Sequence, residues 1–293
     1  MKKTKLLITS LLMSMILLVS SCSPETYSLE DATNKSNIDF DITQDFVVDP
    51  GGNTVILKNN TPGVILNWDY GTGKSNKSNQ IVKYAFKGNY TIKIRAVTDG
   101  GLVELDPVTV TVTEDNLSYV NDPLWDFLSG GVGKSKTWLL DLDANGVSKY
   151  FPGPVSFAGD QLGWEKVCHG DPALCSLWEP EWKGNEWVGA KGDYGSMTFS
   201  LDGGPFIKVE HKITTPGTQN GTYFLDVANH ELTLTNAAIL HSWGDNDIDD
   251  WSNYKIITLT KDVMQIAVHN KAKPEWAIFN FISKEYSDNW VGN

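Results

Sequence analysis

The sequence lacks a segment that is long enough to cross a membrane near its N-terminus. Its apolar run over residues 6–19 is short, because a helix needs ~20 apolar residues to span the hydrocarbon core. Three lysines precede this run and two small serines follow it. This is the pattern of a secretory signal peptide, which we place at residues 1–21.

Cysteine is also scarce, with three in the chain of 293 residues. Cys22 directly follows the signal peptide, and the sequence VSSC (19–22) resembles the lipobox of bacterial lipoproteins. The resemblance implies that Cys22 is lipidated and that residues 22–36 form a polar tether, so that the chain is held at a membrane without crossing it. The alternative is ordinary secretion with an incidental cysteine.

The other two cysteines, Cys168 and Cys175, lie close together in a segment with turn residues, CHGDPALC (168–175). In an oxidising compartment such a pair is expected to form a local disulfide. The alternative is a zinc site that includes His169, but such a site would need more ligands.

Basic residues are outnumbered, since the chain has 24 Lys and Arg against 36 Asp and Glu and a formal net charge of −12. Removal of the signal peptide makes the chain more acidic still, because that segment contains lysines and no acidic residue. A polyanionic nucleic acid is therefore not an expected partner. The acidity suits a neutral or cationic ligand.

Motifs for catalysis are missing or incomplete. There is no Gly-x-Ser-x-Gly elbow, and the five histidines form no His-Glu-x-x-His motif. No strand carries the three alternating carboxylates with which glucanases of the β-sandwich type line a cleft. The nearest pair is Glu179 and Glu181, but Pro180 between them is disfavoured in a central strand. We predict no catalytic residue, and an endo-acting glycoside hydrolase that uses Glu179 or Glu181 is the alternative.

A calcium loop is likewise incomplete. Asp141, Asp143, Asn145 and Gly146 match the first half of such a loop, but Pro152 stands where a bidentate glutamate is expected. The acidic stretch 245–250 is rich in oxygen ligands without a diagnostic spacing. We therefore predict no required cofactor and no metal ligand, with an incomplete structural Ca²⁺ site as the alternative.

Long helical periodicity is absent, and short alternating runs separated by turn residues predict an all-β protein. The predicted strands fall into an N-terminal and a C-terminal group on either side of a polar stretch that ends at Pro123. They cover residues 54–58, 64–68, 90–97 and 108–114 in the first group, and 136–142, 194–201, 206–213, 221–227, 230–236, 254–260, 263–270 and 276–286 in the second.

The N-terminal group contains the turn NWDYGTG (67–73) and, further on, Tyr84, Gly88 and Tyr90. These residues resemble the polycystic-kidney-disease (PKD) family of immunoglobulin-like β-sandwich domains. The resemblance covers residues 37–114 and implies a spacer domain whose Trp68 belongs to the core.

The C-terminal group, residues 115–293, resembles the C-terminal part of surface glycan-binding lipoproteins of Bacteroidetes polysaccharide-utilisation loci. The resemblance rests on the order of KTWLLDLD (136–143), GDYGSMTFSLDGG (192–204), GTYFLDVANHELTLTNAAIL (221–240) and YKIITLTKDVMQIAVHN (254–270). It implies a larger, concanavalin-like or jelly-roll β-sandwich that captures a polysaccharide, in particular a β-glucan such as laminarin or mixed-linkage glucan. The implied partners are an outer-membrane importer and a companion lipoprotein, and the implied location is the cell surface.

Ten of the eleven tryptophans lie from Trp125 onward, and two turn-rich segments combine several of them with acidic residues. An exposed indole ring bordered by carboxylates suits a pyranose, which has an apolar face and a rim of hydroxyl groups. The predicted glycan-binding residues are Trp178, Glu179, Glu181, Trp182, Glu186 and Trp187 in the first segment and Trp243, Asp245, Asp247 and Trp251 in the second. The alternative for each tryptophan is core packing, which we expect for Trp138 and Trp276. A structural adhesin or complex subunit is a third hypothesis for the whole chain.

Overall fold

The structure is a computed structural model that describes residues 34–244, 246–248 and 250–292. The predicted signal peptide, the lipidation site Cys22 and most of the predicted tether lie outside these residues. Strands dominate, so the predicted all-β class is confirmed. No helix in the described part of the chain is long and apolar enough to span a membrane.

The first part of the chain forms two antiparallel sheets. Strands β1, β2 and β5 make one sheet, and β4, β3, β6 and β7 make the other, with β8 added along β6. The bounds are β1 Phe40–Gln44, β2 Thr54–Asn59, β3 Ile65–Asp69, β4 Lys74–Ser75, β5 Asn79–Lys83, β6 Gly88–Thr98, β7 Gly101–Glu104 and β8 Val108–Val112.

One hydrophobic cluster is built from the alternate residues of these strands. On β6, for example, Ile92, Ile94 and Ala96 are buried, whereas the residues between them are exposed. Trp68 belongs to this cluster, is 1% exposed, and donates a hydrogen bond from its Nε1 to the carbonyl of Lys77 at 3.1 Å. Trp68 is therefore a core residue, as its position in the turn motif predicts.

The second part of the chain begins with a short helix, continues through ten strands and ends with another short helix. The bounds are α1 Pro123–Ser129, β9 Ser135–Leu140, β10 Val155–Gly159, β11 Leu177–Trp178, β12 Gly195–Ser200, β13 Phe206–His211, β14 Gly217–Asp226, β15 Glu231–Thr235, β16 Asn253–Leu259, β17 Val263–His269, β18 Glu275–Ser283 and α2 Lys284–Asp288.

Eight of these strands close into an antiparallel barrel. From β12 to β18 each strand pairs with the next one in sequence, and β9 pairs with both β12 and β18. The expected concanavalin-like or jelly-roll arrangement of two facing sheets is thus wrong, because a single sheet curls until its edges meet. Alternation alone could not distinguish the two, since either fold buries one face of every strand.

The barrel interior is filled by the inward-facing side chains. Trp138, which was expected in the core, is fully buried there, and its Nε1 donates to the carbonyl of Leu128 at 2.8 Å. Trp276 was also expected in the core. It lies instead half-buried on the outer face of β18, where it donates to the carbonyl of Asp160 at 2.8 Å.

The connections at the two ends of the barrel differ in length. Because neighbouring strands are antiparallel, the links 212–216, 236–252 and 270–274 all lie at one end. The long segment between β9 and β12 reaches this end from β10 onward, because β10 pairs with the half of β18 nearest the 270–274 link, whereas Lys149 contacts α2 at the other end. The opposite end has the shorter links 201–205, 227–230 and 260–262, and α2 follows β18 there. We call the first the long-loop end and the second the short-turn end. Both predicted tryptophan segments therefore belong to the long-loop end.

Candidate functional site

Four aromatic rings from separate parts of the chain meet at the long-loop end. The ring of Phe157 lies 5.7 Å from that of Trp178 and 5.7 Å from that of Trp187, with interplanar angles of 24° and 19°. Trp178 and Trp187 are 6.0 Å apart at 21°. Trp243 abuts Phe157 edge-on at 5.1 Å and 90°. We call these four rings the aromatic platform.

The two outer rings of the platform are open to solvent. Trp178 is 50% exposed and Trp187 is 55% exposed, whereas Phe157 and Trp243 are half-buried. Two adjacent, nearly parallel indole rings together expose a large apolar surface. Large rings are seldom left in water without a binding role, so this surface is the strongest candidate site on the barrel.

Strand pairing explains how Phe157 and Trp178 come together. In β10, Val155 and Phe157 face the barrel interior, and Ala158 packs on the outside. Residues Phe157 and Trp178 are direct partners in the β10–β11 ladder. Aromatic side chains directly opposite each other on one face of an antiparallel pair stabilise that pair. Phe157 was not among the predicted site residues.

The third tryptophan of the first segment, Trp182, supports the platform from within. Its Nε1 donates to the carbonyl of Gly189 at 2.9 Å, and its ring lies against Gly146, where a Cβ atom would come within 2.4 Å of the ring. The turn of residues 186–188 that carries Trp187 is packed against the barrel, because Val188 is fully buried in the barrel core. Trp182 is therefore placed as a support and not as part of the open surface.

The second predicted segment folds into the mouth of the barrel. Ile248 is 4% exposed, and Trp251 stacks on the buried ring of His241 at 4.0 Å and 22°. Trp251 also lies 5.7 Å from Phe279 on the inner wall. Its carbonyl accepts a hydrogen bond from the hydroxyl of Tyr254. Of the two tryptophans predicted here, only Trp243 reaches the platform.

Three of the predicted carboxylates lie around the first segment. Glu179 follows Trp178 and points to the opposite side, where its Oε1 lies 2.9 Å from the Lys166 ammonium and 3.5 Å from the Gln265 amide. Glu181 is exposed. Glu186 is exposed too, and a hydrogen bond from the Gly184 amide at 3.1 Å lowers the pKa of its carboxyl.

The remaining two predicted carboxylates belong to the second segment. Asp247 is half-buried, and its carbonyl accepts a hydrogen bond from the amide of Lys271 at 3.0 Å. Asp245 lies outside the described residues. Two of the described carboxylates are direct sequence neighbours of an exposed platform ring. Glu179, next to Trp178, forms an ion pair with Lys166, whereas Glu186, next to Trp187, is exposed.

A buried polar network on the outer wall holds the segment that carries Trp178. The Gln265 amide donates to Asn280 Oδ1 at 2.9 Å, and Asn280 Nδ2 donates to the carbonyl of Gly153 at 2.8 Å and to Ser156 Oγ at 3.0 Å. Gln265, Asn280 and Ser156 are fully buried. The contact of Gln265 with Glu179 links this network to the platform segment.

Cys168 and Cys175 form a disulfide bond in the same region. Their sulfur atoms are bonded to each other, so they are not thiolate ligands for zinc. Two residues close by, Glu165 and Lys166, have φ angles of 55° and 58°, in the left-handed region that non-glycine residues seldom occupy. The disulfide thus closes a constrained loop that ends shortly before Trp178.

The carboxylates of the incomplete calcium loop are already used by the backbone. Asp141 accepts hydrogen bonds from the amides of Lys149, Tyr150 and Phe151 at 2.7, 3.0 and 2.7 Å, and burial nevertheless raises the pKa of Asp141. Asp143 Oδ1 accepts from two amides of its own turn. In the described ranges, no group of three or more His, Cys, Asp and Glu side chains is arranged to hold a metal ion.

The chain matches no protein-family model, and no curated protein matches it either.

Proposed function

We propose that this protein is a non-catalytic surface lipoprotein that captures a polysaccharide on the aromatic platform. The observation that supports this most is the pair of exposed, nearly parallel indole rings of Trp178 and Trp187, both in contact with Phe157. The axial C–H groups of a pyranose make one face of the sugar apolar, and a flat indole surface offers that face contact area with little loss of side-chain freedom.

The packing around the rings favours binding over mere exposure. Phe157 contacts both indoles, Trp182 and Trp251 fix the neighbouring segments, and the disulfide restrains the loop before Trp178. A binding surface that is ordered before the ligand arrives loses less entropy on binding. A platform built in this way is suited to a rigid, repeating ligand such as a polysaccharide chain.

The acidic charge of the chain favours a neutral glycan over an acidic one, since like charges repel. Together with the resemblance of the sequence to surface glycan-binding lipoproteins, this leads us to propose a β-glucan, such as laminarin or mixed-linkage glucan. We further propose that Cys22 carries the lipid anchor at the outer-membrane surface. The sheets of β1–β8 then serve as a PKD-like spacer, and an importer with its companion lipoprotein receives the glycan.

Isothermal titration of the mature chain against a panel of neutral polysaccharides tests the proposal. We expect binding of at least one β-glucan, and a loss of about tenfold or more in affinity for Trp178→Ala and for Trp187→Ala, as is typical of an aromatic anchor. Phe206→Ala is the matched control, because Phe206 is 49% exposed on β13 and is not part of the platform.

Two outcomes would contradict the proposal. Unchanged affinity in both tryptophan variants would remove the platform as the binding site. A reducing-sugar assay on the same panel checks the hydrolase alternative, since turnover that is lost in Glu179→Gln or Glu181→Gln would show catalysis.

A further inference from the structure

A groove with aromatic walls lies at the short-turn end of the barrel, separate from the aromatic platform. It has a volume of about 570 Å³ and is lined by residues from the segment after β9, from the β16–β17 turn and from α2 with the residues that follow it. The aromatic members are Tyr150, Tyr286 and Trp290. None of these residues belongs to the platform, and neither predicted tryptophan segment contributes to the groove.

The aromatic rings of the groove are held in place but remain accessible. Tyr150 is 55% exposed, and its ring lies 5.8 Å from that of Tyr286 at an angle of 77°. The Lys149 ammonium lies 5.7 Å from the centre of the Trp290 ring and donates to Ser287 Oγ at 2.7 Å. These contacts connect the segment after β9 to α2, so the groove has two tethered walls.

The polar lining of the groove is balanced in charge. Lys149 and Lys261 contribute positive charges, and Asp262 and Glu285 contribute negative ones. The lining therefore carries no excess of charged residues of either sign. Aromatic rings combined with both donors and acceptors suit a neutral ligand that carries many hydroxyl groups.

The groove and the platform lie at different ends of β18. Phe157 of the platform pairs with Ala277 near the beginning of β18, whereas α2 begins at Lys284, directly after the end of β18. At ~3.3 Å per residue, this places the two positions roughly 23 Å apart along the strand. A ligand bound in the groove therefore would not compete for space with one bound on the platform.

We propose that the groove formed by Tyr150, Tyr286 and Trp290 is a second binding site for sugar residues of the same neutral polysaccharide. This proposal rests on the proposed function for the class of ligand. Two sites on one barrel raise the affinity for a long chain well above that for a short one, because the second contact occurs at a high effective concentration.

The experiment is a titration of the mature chain with a polymeric β-glucan and with a short oligosaccharide of the same linkage. The oligosaccharide is expected to occupy two sites on the wild-type chain and one site on the Trp290→Ala and Tyr150→Ser variants. Affinity for the polymer should fall by about tenfold or more in both variants. Phe206→Ala should retain two sites and full affinity.

The possible results separate the two proposals. One site in the wild type, with Trp290→Ala and Tyr150→Ser unchanged, would overturn the second site and leave the platform in place. Loss of a site in these variants, with Trp178→Ala and Trp187→Ala unchanged, would support the groove and overturn the platform. A wild-type chain that binds no polysaccharide of the panel would overturn both.

Discussion

The indole rings of Trp178 and Trp187 lie 6.0 Å apart at an interplanar angle of 21°, although the first is on a strand and the second is on a 3₁₀ turn. Phe157 is 5.7 Å from each of them and is the side chain that both share. The orientation of the two exposed rings therefore depends on a third ring, which solvent reaches less.

Phe157→Ala should lower the affinity for the glycan by about tenfold, because both indoles lose the ring against which they are packed. Phe157→Leu keeps apolar volume and should retain more of the affinity. Titration calorimetry measures both, and thermal melting shows whether the barrel is intact. The controls are Phe206→Ala and Phe206→Leu on β13. If Phe157→Ala binds as the wild type does, the contacts of Phe157 with the two indoles do not contribute to the site.

The sequence predicted the strands better than the way in which they close. All twelve predicted strands are present with bounds shifted by a few residues, because alternation of apolar and polar residues is a local property. The barrel depends on the pairing of β9 with β18, which brings together Leu140 and Phe281. No local pattern encodes that long-range pairing, so a sandwich was an equally consistent expectation.

The site was predicted in part, for a related reason. Trp178 and Trp187 are exposed as expected, but Trp182 and Trp251 have equally polar neighbours and are packed inward. Their burial depends on distant partners, Gly146 and His241, that the local sequence does not reveal. Phe157 was missed because β10 is short and becomes a site element only through its pairing with β11. The alternation in PVSFAG (154–159) is the one local signal that could have pointed to it.

Loss of the disulfide should weaken glycan binding more than it destabilises the barrel. A short loop closed by a disulfide gains about 2.5 kcal/mol from the restricted unfolded state in the chain-entropy description. The Cys168–Cys175 loop lies outside the barrel wall, so this constraint acts mainly on the segment before Trp178. We expect roughly tenfold lower affinity for the double variant Cys168→Ser/Cys175→Ser, because this segment then loses conformational entropy when the glycan binds.

Limited proteolysis gives an independent measurement of the same change. The double variant should be cut within residues 160–176, whereas the wild type should resist cleavage until it is reduced. Near-ultraviolet circular dichroism should show that the barrel core is preserved. Equal affinity and equal resistance in the reduced and oxidised wild type would contradict this role of the disulfide.

Asn280→Ala should be among the most destabilising changes on the outer wall. Asn280 is fully buried and makes three hydrogen bonds, and its removal leaves the Gln265 amide, Ser156 Oγ and the Gly153 carbonyl without that partner. Such a loss is expected to lower the free energy of unfolding by about 3 kcal/mol. Urea denaturation measures it, and Asn229→Ala is the control, because Asn229 is exposed and bonds only locally to Asp226.

The double variant Gln265→Leu/Asn280→Leu refines this test. Replacing both partners by apolar side chains of similar size leaves neither of them as an unsatisfied hydrogen-bonding group. The double variant should therefore lose less free energy of unfolding than Gln265→Leu and Asn280→Leu lose in sum. Additive costs, or an Asn280→Ala variant no less stable than Asn229→Ala, would show that the network does not stabilise the wall.

Asp141 should make the stability of the protein depend on pH with an unusual sign. Burial raises the pKa of its carboxyl above the ordinary value of 3.8, although three backbone amides donate to it. In the window between 3.8 and the raised value, the folded state binds the proton more than the unfolded state does. The free energy of unfolding contributed by this group is therefore fully present below the window and falls as the pH rises through it.

The difference in unfolding free energy between the wild type and Asp141→Asn isolates this contribution from the other carboxyl groups. Measured by urea denaturation from about pH 3 to about pH 6, it should shrink as the pH rises. Asp193→Asn should show the opposite and smaller trend, because the hydrogen bond from Lys212 lowers the pKa of the exposed Asp193 and its stabilisation is lost as the pH falls. If the Asp141 difference instead grew with pH, the three amide hydrogen bonds would outweigh the desolvation of the carboxylate.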